Sequence, residues 1–416
     1  MKISFGHKTS KIVLIAMLST LLIVPLLFSS SFSDRYSSGF SPRIHQRTLV
    51  SPSPQSGGYF GHEVAISGIL VVVAAPFESS SGFTQAGNVY IFNASNGHLI
   101  RTLTSPNAQI NGWFGTSIAI NGTLVAVGAQ LETASGSYEA GRVYVFNAST
   151  GHLLHTLVSP NAQLEGKFGS NLGLGTNILL VSAYNETALG IVGAGHAYTF
   201  NARKGNLLAT LTSPNAQVGG FFGSGSVMYG KIAVVGADQE TTFGMKSAGR
   251  AYVFNAVTGG LLSTLTSPNT QIDGFFGNAC RISGNLVVVG AYGETFIGYA
   301  SGGHAYTFNA RTGALIATLA SLNPVMDGYF GSDVSISGDN VVVSSHGETV
   351  SGFNRAGRAY TFDAKTAVLT NTFTSLNAQP NGIFGDSVVI SGGVVVVGAP
   401  GETVSGFNSA GRAYIF

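Results

Sequence analysis

The chain has 416 residues, with 57 glycines and only 9% charged residues, where roughly 25% is usual for a soluble domain. Its formal net charge is +2, and a body this close to neutral excludes nucleic acid as a partner, which needs a basic footprint. An apolar share of 44% excludes disorder, and Cys280, the single cysteine, excludes an intrachain disulfide and reads as an inert packing residue.

At the N-terminus, Lys2, Lys8 and Lys11 precede an apolar run from Ile12 to Phe28, followed by Ser29, Ser30 and Ser31. A basic flank, an apolar stretch and a small-residue exit predict an export segment over residues 1–33. It reads either as a cleaved signal peptide or as a retained membrane anchor. Both put the rest of the chain outside the cytoplasm, secreted or at the cell surface, with membrane contact only through this segment. Residues 34–38 are a short linker.

From residue 39 to 416 the chain repeats itself. Phe-Gly recurs at Phe60, Phe114, Phe168, Phe222, Phe276, Phe330 and Phe384, every 54 residues without insertion or deletion. Such a period means one supersecondary unit built seven times. The second copy shows the unit. Ser117–Ile120 is a short strand ending at Asn121-Gly122, a two-residue hairpin signal. The apolar run Leu124–Ala129 needs burial on both faces. A longer loop leads to the aromatic strand Gly141–Phe146, and a turn to a fourth strand, Leu153–Leu157. Four antiparallel strands repeated radially predict an all-β, seven-bladed β-propeller. The last copy stops after its third strand at Phe416, while Arg47–Val50, ahead of the first Phe-Gly, has fourth-strand sequence. The N-terminal strand is therefore expected to complete the last blade and close the ring.

The seven Phe-Gly pairs, the strand exits such as Ala74-Ala75-Pro76 and Gly398-Ala399-Pro400, and the Gly before each aromatic strand resemble the FG-GAP repeat, the blade unit of the integrin α-subunit propeller. The resemblance spans residues 39–416 and implies the propeller fold. It departs from the family at the turns after the first strand, where many FG-GAP blades carry an acidic calcium loop. Those turns are short, and Asp339 is the one acid among Ser67-Gly68, Asn121-Gly122, Gly230-Lys231, Ser283–Asn285, Ser337–Asn340 and Ser391–Gly393. No calcium, other metal or cofactor is therefore expected.

A glutamate recurs in every copy, at Glu78, Glu132, Glu186, Glu240, Glu294, Glu348 and Glu402. Ten residues on stands Asn88, Arg142, His196, Arg250, His304, Arg358 or Arg412, so each glutamate reads as a structural tie to the following strand. Residues that break the repeat carry more functional weight. His62, Glu63, Asn171, Arg281, Asp333 and Asp386 follow Phe-Gly on the strand expected to line the channel, and His62-Glu63 is an acid–imidazole pair suited to proton transfer. Before Phe-Gly stand Tyr59, Trp113, Lys167, Phe221, Phe275 and Tyr329, and the loop after the glutamate holds Phe83, Tyr138, Met245, Tyr299, Phe353 and Phe407. Alternate connections of an up-and-down blade share a face, so these aromatics are expected to be exposed together as a recognition surface, with Trp113 foremost, or else to wedge between blades. Four sequons, at Asn93, Asn121, Asn147 and Asn185, are potential glycan acceptors in an exported chain.

No catalytic residue set emerges: the chain has no His-Glu-x-x-His, no Gly-x-Ser-x-Gly and no phosphate-binding loop. The expected function is a binding or adhesion platform at the cell surface, recognising a protein or glycan through the long-loop face. The alternatives are a secreted polysaccharide hydrolase or lyase with carboxylates at the channel mouth, and a structural envelope protein.

Overall fold

In the computed structural model, residues 46–416 are described, so the expectations for residues 1–33 and 34–38 lie outside the described residues. Twenty-eight strands form seven four-stranded antiparallel sheets. In blade 1 the strands run outward from the axis as Val64–Ser67, Leu70–Ala75, Asn88–Asn93 and Leu99–Thr104. Each inner strand abuts the inner strands of both neighbouring blades, which closes the ring around a central channel. Blades 2 to 7 begin with inner strands Ser117–Asn121, Leu172–Leu174, Ser226–Tyr229, Cys280–Ser283, Val334–Ser337 and Val388–Ser391. Among the described residues no helix is long and apolar enough to cross a membrane.

The seam lies where the sequence places it. Arg47–Val50 pairs antiparallel with Arg412–Ile415, Arg47 facing Ile415 and Val50 facing Arg412. Blade 7 thus takes its outer strand from the N-terminal side of the chain, and no blade is left with an open third strand.

The core is seven cores. Each hydrophobic cluster draws on two adjacent blades, as where Val143, Val145 and Leu157 of blade 2 meet Phe168, Leu179 and Tyr198 of blade 3. This explains why the second strand of each blade is apolar without alternation: it is covered on both faces. All seven Phe-Gly phenylalanines are fully buried. Phe114 packs edge-on against Phe146 at 6.1 Å between ring centroids and tilts over Tyr144 at 5.9 Å. The glycine that opens each third strand is required by the neighbour. Gly141 has φ +86°, and a Cβ there would lie 2.1 Å from the Phe168 carbonyl oxygen of the next blade.

Candidate functional site

Two loop sets build one face. The loop after each glutamate lies against the segment that precedes the next Phe-Gly, with backbone bonds such as Asn111 N to Thr84 O (2.9 Å) and Asp273 N to Lys246 O (2.9 Å). The strand-exit residues and the residue after Phe-Gly sit inside this rim, around the channel mouth.

The seven glutamates form the framework beneath it. All are fully buried. Glu132 shows the arrangement: Oε2 accepts the Tyr144 phenol and Asn107 Nδ2 (3.3 Å), while Oε1 accepts the Ser105 hydroxyl. Ser105 lies just past the outer strand of blade 1, so the carboxylate ties the incoming linker to blade 2. The tyrosine bond recurs in all seven blades, at Tyr90, Tyr144, Tyr198, Tyr252, Tyr306, Tyr360 and Tyr414. Burial pushes the carboxyls of Glu78, Glu132, Glu240 and Glu402 above the usual range against these hydrogen bonds.

The residue ten positions on contributes less than the sequence suggests. Arg358, Arg412, His196 and His304 lie 3.0, 3.1, 2.9 and 2.8 Å from their glutamates, Asn88 donates at 2.8 Å, and Arg142 stands off at 3.7 Å. Arg250 departs from the expected tie: its Nε donates to Thr242 Oγ1 (3.0 Å) and it forms no ion pair with Glu240.

Tyr59, Trp113, Lys167, Phe221, Phe275 and Tyr329 occupy equivalent positions on the rim, but they are half-buried rather than freely exposed. Every one has a left-handed backbone, with φ between +53° and +60°, a conformation costing about 1–2 kcal/mol per non-glycine residue. Backbone bonds on both sides hold it: Trp113 N donates to Gln85 O (3.2 Å) and its carbonyl accepts from Thr116 N (3.2 Å). Trp113 and Lys167 lean on the neighbouring blade. Trp113 packs edge-on against Phe77 (4.9 Å) and donates Nε1 to Gln85 Oε1 (3.3 Å), and Lys167 is ion-paired with Glu139.

The charged channel candidates gather on blades 1, 5, 6 and 7, while Asn171 stands at the inner strand of blade 3. His62 Nδ1 lies 3.2 Å from Asp386 Oδ2. Arg281 lies 3.5 Å from Asp333 Oδ1, and Asp333 also accepts the backbone amides of Val388 (2.8 Å) and Val334 (2.9 Å). Asn171 donates to Ser224 O (2.7 Å). Glu63 is half-buried and ringed by the inner strands. Burial first, and then the Asp333 charge, push its carboxyl up to about 8, so it stands mostly protonated at neutral pH. The channel there is narrow, about 140 Å³, below the roughly 300–1,000 Å³ of small-molecule sites.

A larger cavity, about 350 Å³, opens at the mouth between blades 5, 6 and 7, lined by Asn278, Tyr292, Tyr329, Ser332, His346 and Asp386. Of these, sequence reasoning names only Tyr329 and Asp386. Tyr292 and His346 occupy the last position of the strand exit, held by Pro76, Gln130, Tyr184, Asp238, Tyr292, His346 and Pro400 around the ring. That position varies in every chemical respect, and this variation is the signal that marks it.

The rim outside is apolar over part of its circumference. The turn after each glutamate has two residues with positive φ, the first being Ser81, Ser135, Leu189, Phe243, Ile297, Ser351 or Ser405. In blades 3, 4 and 5 the small serine is replaced by Leu189, Phe243 and Ile297, which are 73%, 75% and 70% exposed.

Four segments, residues 45–92, 99–146, 317–362 and 369–416, match the FG-GAP repeat family. FG-GAP repeats are found in these four places. Each matched segment starts at an outer strand and runs through the third strand of the next blade. Together with the seven-bladed ring they are consistent with an integrin-α-like FG-GAP propeller. FG-GAP repeats occur in extracellular and surface proteins, and the fold suggests a ligand-binding or adhesion-type module. A solved structure of the computationally designed Ika8 protein is similar in fold, with a TM-score of 0.50 at 15% identity over 88% of this chain and 98% of that one. No curated protein matches the chain.

Proposed function

We propose that this FG-GAP propeller is a binding platform outside the cytoplasm, at the cell surface or secreted, whose long-loop face docks a protein partner. The observation that carries this reading is the apolar crescent on blades 3 to 5. Leu189, Phe243 and Ile297 sit at left-handed turn tips where four sister blades use serine. A bulky or β-branched residue at positive φ is strained, and these three gain little burial in return. Local strain and exposed apolar surface without internal benefit are expected of a contact surface. Val192, Val218, Met245 and Ile272 extend the same patch. All of it falls within residues 147–316, the stretch between the FG-GAP matches.

The test substitutes the sister-blade residue. Leu189→Ser, Phe243→Ser and Ile297→Ser are combined in the full chain and screened beside the parent against an array of extracellular proteins. Parent binding that falls at least tenfold in the triple variant supports the platform. Binding equal in both would sink it.

A further inference from the structure

We propose that the mouth cavity on blades 5 to 7 is a saccharide site that takes a neutral hexose or a disaccharide. The proposal rests on reading this face as a binding surface and adds a ligand class at a place separate from the apolar crescent.

The first argument is the aromatic arc. Phe275 stacks on Tyr292 at 5.1 Å and 16°, Tyr292 meets Tyr329 edge-on at 5.9 Å, and Tyr329 meets His346 at 5.3 Å. The ring faces of such residues carry negative potential, which suits the C–H face of a pyranose. Elsewhere on the ring, one of the two positions involved is not aromatic: Trp113 is paired with Gln130, Lys167 with Tyr184, Phe221 with Asp238. Blades 5 and 6 alone hold a ring at both, as Phe275 with Tyr292 and Tyr329 with His346. The repeat is broken where the cavity is.

The second argument is the spare hydrogen-bonding capacity of the lining. Asn278 spends its amide nitrogen on Ser332 O (2.9 Å), which leaves its amide oxygen. His346 meets Ser332 Oγ through Nδ1 (2.9 Å), which leaves Nε2. Asp386 spends Oδ2 on His62, which leaves Oδ1. With the two tyrosine hydroxyls these atoms offer both donors and acceptors, as a polyol requires.

The third argument is charge. His62 with Asp386 and Arg281 with Asp333 balance each other. Burial keeps Glu63 protonated and holds His346 below the usual histidine range, hence neutral. Arg355 shares the adjoining hollow with Asp327, one charge of each sign. Acidic and basic side chains are matched at the mouth, and a neutral, hydroxyl-rich ligand needs no counter-charge of its own. The volume of about 350 Å³ admits one or two sugar rings.

The experiment is saturation-transfer NMR and calorimetry on the full chain. The probes are glucose, galactose, mannose, N-acetylglucosamine and their β-linked disaccharides, with acetate, inorganic phosphate and methylammonium as ionic controls. The expected result is saturable binding of at least one neutral sugar, weakened tenfold or more by Tyr292→Ala and by Tyr329→Ala. Tyr329→Phe, which keeps the ring, should stay within about threefold, and the Leu189, Phe243 and Ile297 serine variant should bind the sugar normally. Absence of any neutral-sugar signal, binding confined to the ionic controls, or binding unmoved by both tyrosine variants overturns the proposal. Because the crescent variant tests the platform and the tyrosine variants test the pocket, either can fail alone.

Discussion

The clamp beneath the blades and the rim above them obey opposite rules. In the clamp, seven copies of Glu, Tyr and Ser hold nearly one geometry, all buried. On the rim, equivalent positions range from Pro76 to Asp238 to His346 and from Ser81 to Phe243. Ring closure demands equal blades, since an error in one interface is carried to the next. Recognition demands unequal ones, since a ligand smaller than the ring meets only a few blades at once. Invariance within the chain therefore marks architecture, and departure from it marks the contact surface.

The largest effect should come from the clamp. Glu132→Ala strands the Tyr144 and Ser105 hydroxyls in a buried site, each worth about 1–3 kcal/mol when unsatisfied. A loss of roughly 3–5 kcal/mol is expected by denaturant unfolding. A loss below 1 kcal/mol would reduce the clamp to decoration.

Two glycines sharpen the contrast next. Gly141 and Gly136 both have positive φ, +86° and +79°, yet a Cβ at Gly141 strikes Phe168 of the next blade while one at Gly136 meets open space. Gly136→Ala should cost only the left-handed penalty of about 1–2 kcal/mol. Gly141→Ala should cost at least about 2 kcal/mol more, through the blade interface. Equal costs would show that the interface yields.

The channel is expected to respond to pH. Glu63 is raised to about 8 in the fold from an ordinary 4.5, so the folded chain holds a proton that the unfolded chain releases. Its contribution to stability is present below pH 4.5 and is lost as pH rises towards 8. Asp333, raised by burial, acts in the same sense. So does His62, which burial lowers but the Asp386 hydrogen bond and charge raise on balance. Tm should therefore decline from pH 5 to pH 8, and Glu63→Gln should flatten that decline. A parallel decline in both proteins would remove Glu63 as the cause.

The smallest effect belongs to the rim. Phe243→Ser alone should change stability by no more than about 0.5 kcal/mol, or raise it slightly, because the side chain is exposed and its backbone strained. A loss beyond 1 kcal/mol would mean that the tip serves the fold.

The ring, its strand order and its seam were legible because period and strand alternation act along the chain. The partners of the glutamates were not. Tyr144 reads as one more apolar-strand aromatic and Ser105 as a turn residue, and only the wrapping of blade on blade brings both to Glu132. Arg250 shows the reverse error, a charge at the right spacing that bonds Thr242 instead. The rim aromatics are visible by type, but their left-handed backbone, which turns Trp113 onto Phe77, leaves no trace in residue type. The mouth cavity was half visible. Asp386 and Tyr329 stand out by type, whereas Asn278, Tyr292 and His346 come together only through ring curvature.

The seam carries a further consequence, for assembly in time. Arg47 pairs with Ile415, so the outer strand of blade 7 is synthesised before all of blades 1 to 6 and waits for a partner that emerges after them. Contacts of such long sequence separation form slowly, and until then both the waiting strand and the nascent third strand are unprotected templates for pairing with another chain. The same registry that gives the finished ring no loose edge leaves the unfinished one with two.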